Sequence, residues 1–123
     1  LMFASFLGHE NVIPFLLGQS WVDVNAASTK YGDTALLLAV QKGREDVIGR
    51  LIGALGMKAD ARDEGGWTAL MQAAWYGHTA VVQVLLDHGG IDVNAQSTNN
   101  SRTALDLASE KGHTDIVRLL RAR

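Results

Sequence analysis

The sequence predicts an all-α solenoid, in which short helix-turn-helix units stack side by side around one continuous core. Three observations predict it. Thr-Ala-Leu recurs at Thr34, Thr68 and Thr103, in steps of 34 and 35 residues. Nine residues after each Thr stands a Gly followed by a basic or His residue, at Gly43-Arg44, Gly77-His78 and Gly112-His113, and one period upstream lies Gly8-His9. Asp-Val-Asn-Ala occurs at Asp23 to Ala26 and again at Asp92 to Ala95, with a degenerate version at Lys58 to Ala61 midway between them. Markers that share one period mark a repeat architecture, because a single such unit cannot bury its own apolar face.

Within a unit, the Thr ahead of an apolar run suits a helix N-cap, where its hydroxyl accepts from an orphan backbone N–H of the first turn. The helix that follows is short. Leu70, Ala73 and Ala74 fall at i, i+3 and i+4, one face of a helix, and the small Ala side chains allow a neighbouring helix to approach closely. Gly77 ends that helix, in the left-handed conformation that Gly adopts cheaply. A second helix carries Val81, Val82, Leu85 and Leu86 as its apolar stripe, matched by Val47, Ile48, Leu51, Ile52 and by Ile116, Val117, Leu119, Leu120. Between units runs a polar excursion such as Arg62-Asp63-Glu64-Gly65-Gly66, which reads as a turn or hairpin tip. The single proline, Pro14, falls near the start of a second helix, where first-turn N–H groups lack partners anyway.

Composition fits this reading. The chain has 123 residues, 47% hydrophobic and 20% charged, as a folded globular domain does. Eleven basic against 13 acidic residues give a formal charge of −2, too little positive field to hold a nucleic acid by counterion release. The absence of cysteine removes disulfides and thiolate metal sites and fits an intracellular, cytoplasmic or nuclear, setting. No apolar run approaches the roughly 20 residues that span a bilayer, and Leu1-Met2-Phe3 lacks the basic flank of a signal peptide.

The run Asp63-Glu64-Gly65-Gly66-Trp67-Thr68-Ala69-Leu70, then Ala73-Ala74 before Gly77-His78, Val81-Val82 before Leu85-Leu86, and finally Asp92-Val93-Asn94-Ala95 strongly resembles the ankyrin repeat family. The resemblance covers essentially the whole chain. It departs from the family pattern in that Ala follows each repeat's Thr where Pro is usual, and Leu37, Met71 and Asp106 stand where His is common. Those changes keep the helix and lose a polar contact between repeats. Single insertions before each Asp-Val-Asn-Ala element, and before Thr34 and Thr103, predict irregular turns.

The repeat divides the chain into a partial unit 1–26 and units of about 27–61, 62–95 and 96–123. Leu1 occupies the position of Leu36, Leu70 and Leu105, so the chain opens inside a first helix and reads as a fragment of a longer protein. The apolar Leu1, Met2, Phe3, Phe6 and Leu7 lack a polar cap, which points to further upstream repeats. The last unit, with Asp106, Ser109, Glu110, Lys111, Asp115, Arg118, Arg121 and Arg123, has the polarity of a C-terminal cap.

The resemblance implies partner binding along a concave groove built from hairpin tips and first helices. Carried onto this sequence, the groove positions are Lys30, Tyr31 and Asp33; Gln41 and Lys42; Glu64, Gly65 and Trp67; Trp75 and Tyr76; Asn99, Asn100 and Arg102; and Glu110 and Lys111. Tyr31, Trp67, Trp75 and Tyr76 gather aromatic residues there, and Trp, Tyr and Arg dominate interface energetics. Against this stands the plainer role of Trp67 as a packing group for the next hairpin. The resemblance also implies two candidate hydroxylation sites for an iron- and 2-oxoglutarate-dependent asparaginyl hydroxylase. These are Asn25 and Asn94, each in an Asp-Val-Asn context with Leu17 or Leu86 eight residues before it.

His9, His78 and His113 share one repeat position. Successive copies are therefore at least a helix-packing distance of about 8–10 Å apart, against a metal–ligand bond of about 2 Å, so they read as structural bonds to the inter-helix turn. No metal or cofactor is expected. The chain has no cysteine nucleophile, glycine-rich phosphate loop or nucleophile elbow, and its carboxylates fall at turns and solvent faces. The reading is a non-catalytic interaction module, scaffold or adaptor, for a protein or peptide, monomeric as a module. The alternatives are a regulatory segment docking in cis on an enzyme or channel, and self-association through the apolar first unit.

Overall fold

The computed structural model describes residues 11, 13–14, 18, 25–26, 34–53, 59–88, 91–98 and 100–122. Leu1 to Leu7, His9, Lys30, Tyr31, Asp33, Asn99 and Arg123, on which several sequence expectations rest, lie outside these residues. The described part forms six helices in pairs: α1 (Ala35–Gln41) with α2 (Glu45–Ile52), α3 (Ala69–Tyr76) with α4 (Thr79–His88), and α5 (Ala104–Lys111) with α6 (Thr114–Arg121). There is no strand among the described residues.

Each first helix begins where the sequence places it. Thr34, Thr68 and Thr103 are N-caps, and their hydroxyls accept from the N–H groups of Leu37, Met71 and Asp106 at 3.2–3.3 Å. At Asp106 the cap is reciprocal, since its carboxylate accepts from the Thr103 N–H at 3.0 Å, completing a capping box. The departure from His at this position thus supplies a local bond to the helix start. The Thr-x-x-acid spacing is the sequence signal for it.

The helices form two layers. The first helices pack in the order α1, α3, α5, and the second helices in the order α2, α4, α6, each pair also closing on itself. The Ala pair does what its size allows: Ala73 and Ala74 are fully buried between neighbours, and Leu36, Leu37, Leu70 and Met71 fill the same layer. In the second layer Val47, Ile48, Leu51, Val81, Val82, Leu85, Leu86, Ile116 and Leu120 are buried, with Ile52, Val117 and Leu119 partly so. Each large aliphatic side chain in this core contributes about 1.5–3 kcal/mol of burial free energy, so the stack is held chiefly by contacts between units.

Histidine ties the units together across the stack. The His78 ring lies over Gly43 and its Nε2 donates to the Gln41 carbonyl at 3.1 Å; the His113 ring lies over Gly77 and donates to the Trp75 carbonyl at 3.0 Å. A carbonyl can only accept, which fixes the proton on Nε2. The bond therefore reaches the helix end of the preceding unit. Gly77 is required twice over: its φ is +78°, and a Cβ there would stand 2.7 Å from the His113 ring.

Candidate binding face

The connecting loops and the C-terminal ends of the first helices bring most of the sequence-selected residues together. Asp63 organises the loop before α3. Its Oδ1 accepts from the Trp67 N–H at 3.0 Å, its Oδ2 accepts from Gln72 Nε2 at 2.8 Å, and its own N–H donates to the Trp67 carbonyl at 3.0 Å. Arg62 joins this loop to the next one, with Nη1 donating to the carbonyls of Gly66 and Gln96 at 2.7 Å each. Glu64 is exposed at the tip.

That loop sets Trp67 against Trp75, edge to face, with ring centroids 5.5 Å apart and planes at 77°. Both rings are partly buried against the core. Lys111, from the following unit, places Nζ 4.4 Å from the centroid of the Trp75 ring, a cation–π contact. Tyr76 stacks on His78 at 6.1 Å and 20°, yet remains 52% exposed, the one large apolar side chain so exposed among the described residues. The aromatic group is thus held in place by its neighbours while one ring faces solvent.

The equivalent place one unit later is built differently. Arg102 occupies the position of Trp67 and Glu110 that of Trp75, and the two form an ion pair where the earlier unit has its ring contact. Ser97 plays the part of Asp63, its Oγ accepting from the Arg102 N–H at 3.2 Å. Ser101, one place before Arg102, takes φ +55°, as Gly66 takes φ +80° one place before Trp67, so the left-handed step is common to both loops and the extra residue lies before it.

Gln41 is half-buried and Lys42 exposed at the end of α1, in register with Trp75 and Tyr76. Asn94 is exposed in the turn that Asp92 stabilises, with its N–H donating to Asp92 Oδ1 at 3.0 Å; Asn25 is half-buried. Sequence reasoning passed over Gln72, which stands where the neighbouring units have Leu38 and Leu107. It is 2% exposed, and its Oε1 has no hydrogen-bond partner among the described residues. A polar residue at a repeat position otherwise aliphatic was the available signal. Among the described residues no group of three or more His, Asp or Glu side chains could hold a metal, and no helix is long and apolar enough to cross a membrane.

Comparison with known proteins agrees with this architecture. The family model described as ankyrin repeats, in three copies, matches residues 1–97 and 54–123. The chain is 44% identical over 92 residues to the ankyrin repeat and KH domain-containing protein mask of Drosophila melanogaster, covering 74% of this chain and 2% of that protein. It is 34% identical over 113 residues to the E3 ubiquitin-protein ligase XBAT33 of Arabidopsis thaliana, covering 88% of the chain and 22% of that protein. It is 31% identical over 112 residues to the tyrosine-protein kinase HTK16 of Hydra vulgaris, covering 89% and 14%. The chain therefore spans at most about a fifth of the length of these relatives. With its Thr-capped helix pairs, its glycine breaks and its match to the family model over essentially its whole length, the chain belongs to the ankyrin repeat family.

Proposed function

We propose that this chain is an intracellular protein-interaction module of a scaffold or adaptor, binding a partner protein or peptide through the face formed by its first helices and connecting loops. The observation that carries the reading is the aromatic group. Trp75 is braced by Trp67 and Lys111, and Tyr76 is braced by His78 and still half exposed. Rings fixed before binding lose little freedom on association, so they make efficient anchors. Tyr31, Asp33, Gln41, Lys42, Glu64, Arg102, Glu110 and Lys111 belong to the same proposed face, with unit boundaries near residues 27, 62 and 96. Quantitative capture from lysate tests it, comparing the wild-type chain with a Trp75→Ala/Tyr76→Ala variant that still unfolds cooperatively. The proposal expects a defined set of proteins to disappear with the variant; capture of the same proteins by both would overturn it.

A second reading is that the module docks in cis on a catalytic part of its parent protein. It is favoured by the ligase and kinase names among the relatives, of which this chain matches only a small part. Capture of the parent's own catalytic segment by the isolated chain would select it. Asn94, exposed in its turn, and Asn25 are the proposed acceptors of asparaginyl hydroxylation. Peptide mass spectrometry from cells containing the hydroxylase, showing no gain of one oxygen at either residue, would remove that proposal.

A further inference from the structure

Each internal junction of the stack seats one imidazole. The His78 ring covers Gly43 and bonds the Gln41 carbonyl, and the His113 ring covers Gly77 and bonds the Trp75 carbonyl. Gly112 repeats the backbone of this socket, its φ of +73° and ψ of 24° matching the +78° and 24° of Gly77. A Cβ added at Gly43 or Gly77 would stand 3.0 or 2.7 Å from a histidine ring, whereas at Gly112 it would meet nothing within 4 Å. The Glu110 carbonyl lies two residues before Gly112, as the Gln41 and Trp75 carbonyls lie before their glycines, and it accepts from no group among the described residues. Over this glycine opens a cavity of about 410 Å³ lined by Ser109, Gly112, Thr114, Val117, Arg118 and Arg121.

The socket is repeated, but its surroundings are not. Ser109 and Arg121 are exposed where Ala74 and Leu86 are buried, and Arg118 stands where Gln83 does. Arg121 has no carboxylate partner among the described residues, and Arg118 has only a loose, exposed contact with Asp115 at 3.7 Å. Another apolar repeat unit would bury both guanidinium groups unpaired, whereas an imidazole accompanied by carboxylates satisfies them.

We infer that the outer side of the α5–α6 pair binds a partner helix that begins at a histidine and carries carboxylates two and six residues after it. The histidine seats over Gly112 and donates to the Glu110 carbonyl. His113 is itself the N-cap of α6, so the ring reaches its socket from a helix start. At the α4–α6 junction Thr79, Ala80 and Gln83 share a groove with Asp115, Leu119 and Ala122, which follow His113 by two, six and nine residues. In the same register, the partner's carboxylates come against Arg118, with Arg121 one turn further along α6. A carboxylate in the first turn also meets the positive end of its own helix dipole. The slot shares no residue with the aromatic group, so either site can fail without the other.

The test is a nitrogen-15 NMR titration of the whole chain with the peptide acetyl-Gly-His-Ala-Glu-Ala-Ala-Ala-Glu-Ala-Ala-Ala-Lys-amide. The proposal expects the amide signals of Ser109, Gly112 and Arg118 to move along one saturable curve. Replacing the peptide's His by Ala is expected to weaken binding about tenfold, through loss of the bond to the carbonyl and of ring packing. Gly112→Ala, checked to unfold cooperatively, places a methyl group in the socket and is expected to weaken the His peptide by a similar factor. Arg118→Glu/Arg121→Glu is expected to weaken it about fivefold, with recovery when both peptide Glu residues are made Lys. Equal binding of the His and Ala peptides, indifference to Gly112→Ala, shifts centred elsewhere, or no saturable shift would each overturn it. A Gly112 signal that moves with the concentration of the chain alone would overturn the partner assignment in favour of a second copy, whose Gly8-His9 carries the same pair.

Discussion

The α3–α4 pair and the α5–α6 pair follow one template, and they differ at the positions that meet a neighbour. Met71, Ala74 and Leu86 are buried between units; their equivalents Asp106, Ser109 and Arg121 are exposed. Gly77 and Gly112 have nearly the same φ, +78° and +73°, but only Gly77 is covered by a histidine of a following unit. On the proposed binding face the Trp67–Trp75 contact gives way to the Arg102–Glu110 ion pair. The Thr caps, the glycine breaks and most of the second-helix stripe, with Ile116, Val117 and Leu120 standing for Val81, Val82 and Leu85, are kept in both pairs. The template therefore resides in the residues that close a unit on itself, and the freedom resides in those that meet something else.

Paired substitutions at equivalent positions can break that comparison. The largest difference is expected at Met71 and Asp106. Met71→Ala opens a cavity between units and costs about 3 kcal/mol, whereas Asp106→Ala removes only its share of the capping box, about 0.5–1 kcal/mol; urea unfolding reads both. The glycines come next. Gly77→Ala brings left-handed strain and collision with the His113 ring, about 3 kcal/mol together, while Gly112→Ala brings the strain alone, about 1 kcal/mol. Equal losses at the two glycines would show that the histidine ring contributes nothing to the junction. His113→Ala removes the bond to the Trp75 carbonyl and is expected to cost about 1–2 kcal/mol in thermal unfolding. Arg121→Leu combined with Ser109→Ala leaves stability within about 0.5 kcal/mol but gives the outer face of α5–α6 the apolar character of an internal unit, so sedimentation should detect self-association. Smallest of all is Tyr76→Ala, expected to leave the unfolding midpoint nearly unchanged, as befits a ring that faces solvent.

Much of this was legible in the sequence because it recurs along the chain. The period located the helix pairs, Thr34, Thr68 and Thr103 announced their own caps, and Gly77 announced its own helix break. What crosses from one unit to the next was less legible. The bond from His113 to the Trp75 carbonyl and that from Arg62 to the Gln96 carbonyl join residues 38 and 34 positions apart, and periodicity says which residues are equivalent, not which atoms meet. The burial of Gln72 was hidden too, although within one unit, since it depends on Asp63 folding back from the loop to receive its amide. At the candidate face the residue types were readable and their arrangement was not: Trp67 and Trp75 stand eight positions apart, and only the loop held by Asp63 brings the rings edge to face.

The most direct test of the central claim is site-specific photocrosslinking in cells, with a benzophenone amino acid placed at Tyr76 on the first-helix face or at Gln83 on the outer side of α4. The account predicts discrete higher-mass adducts from position 76 and none from position 83. Adducts confined to position 83, with position 76 silent, would contradict it and move the binding surface to the second helices.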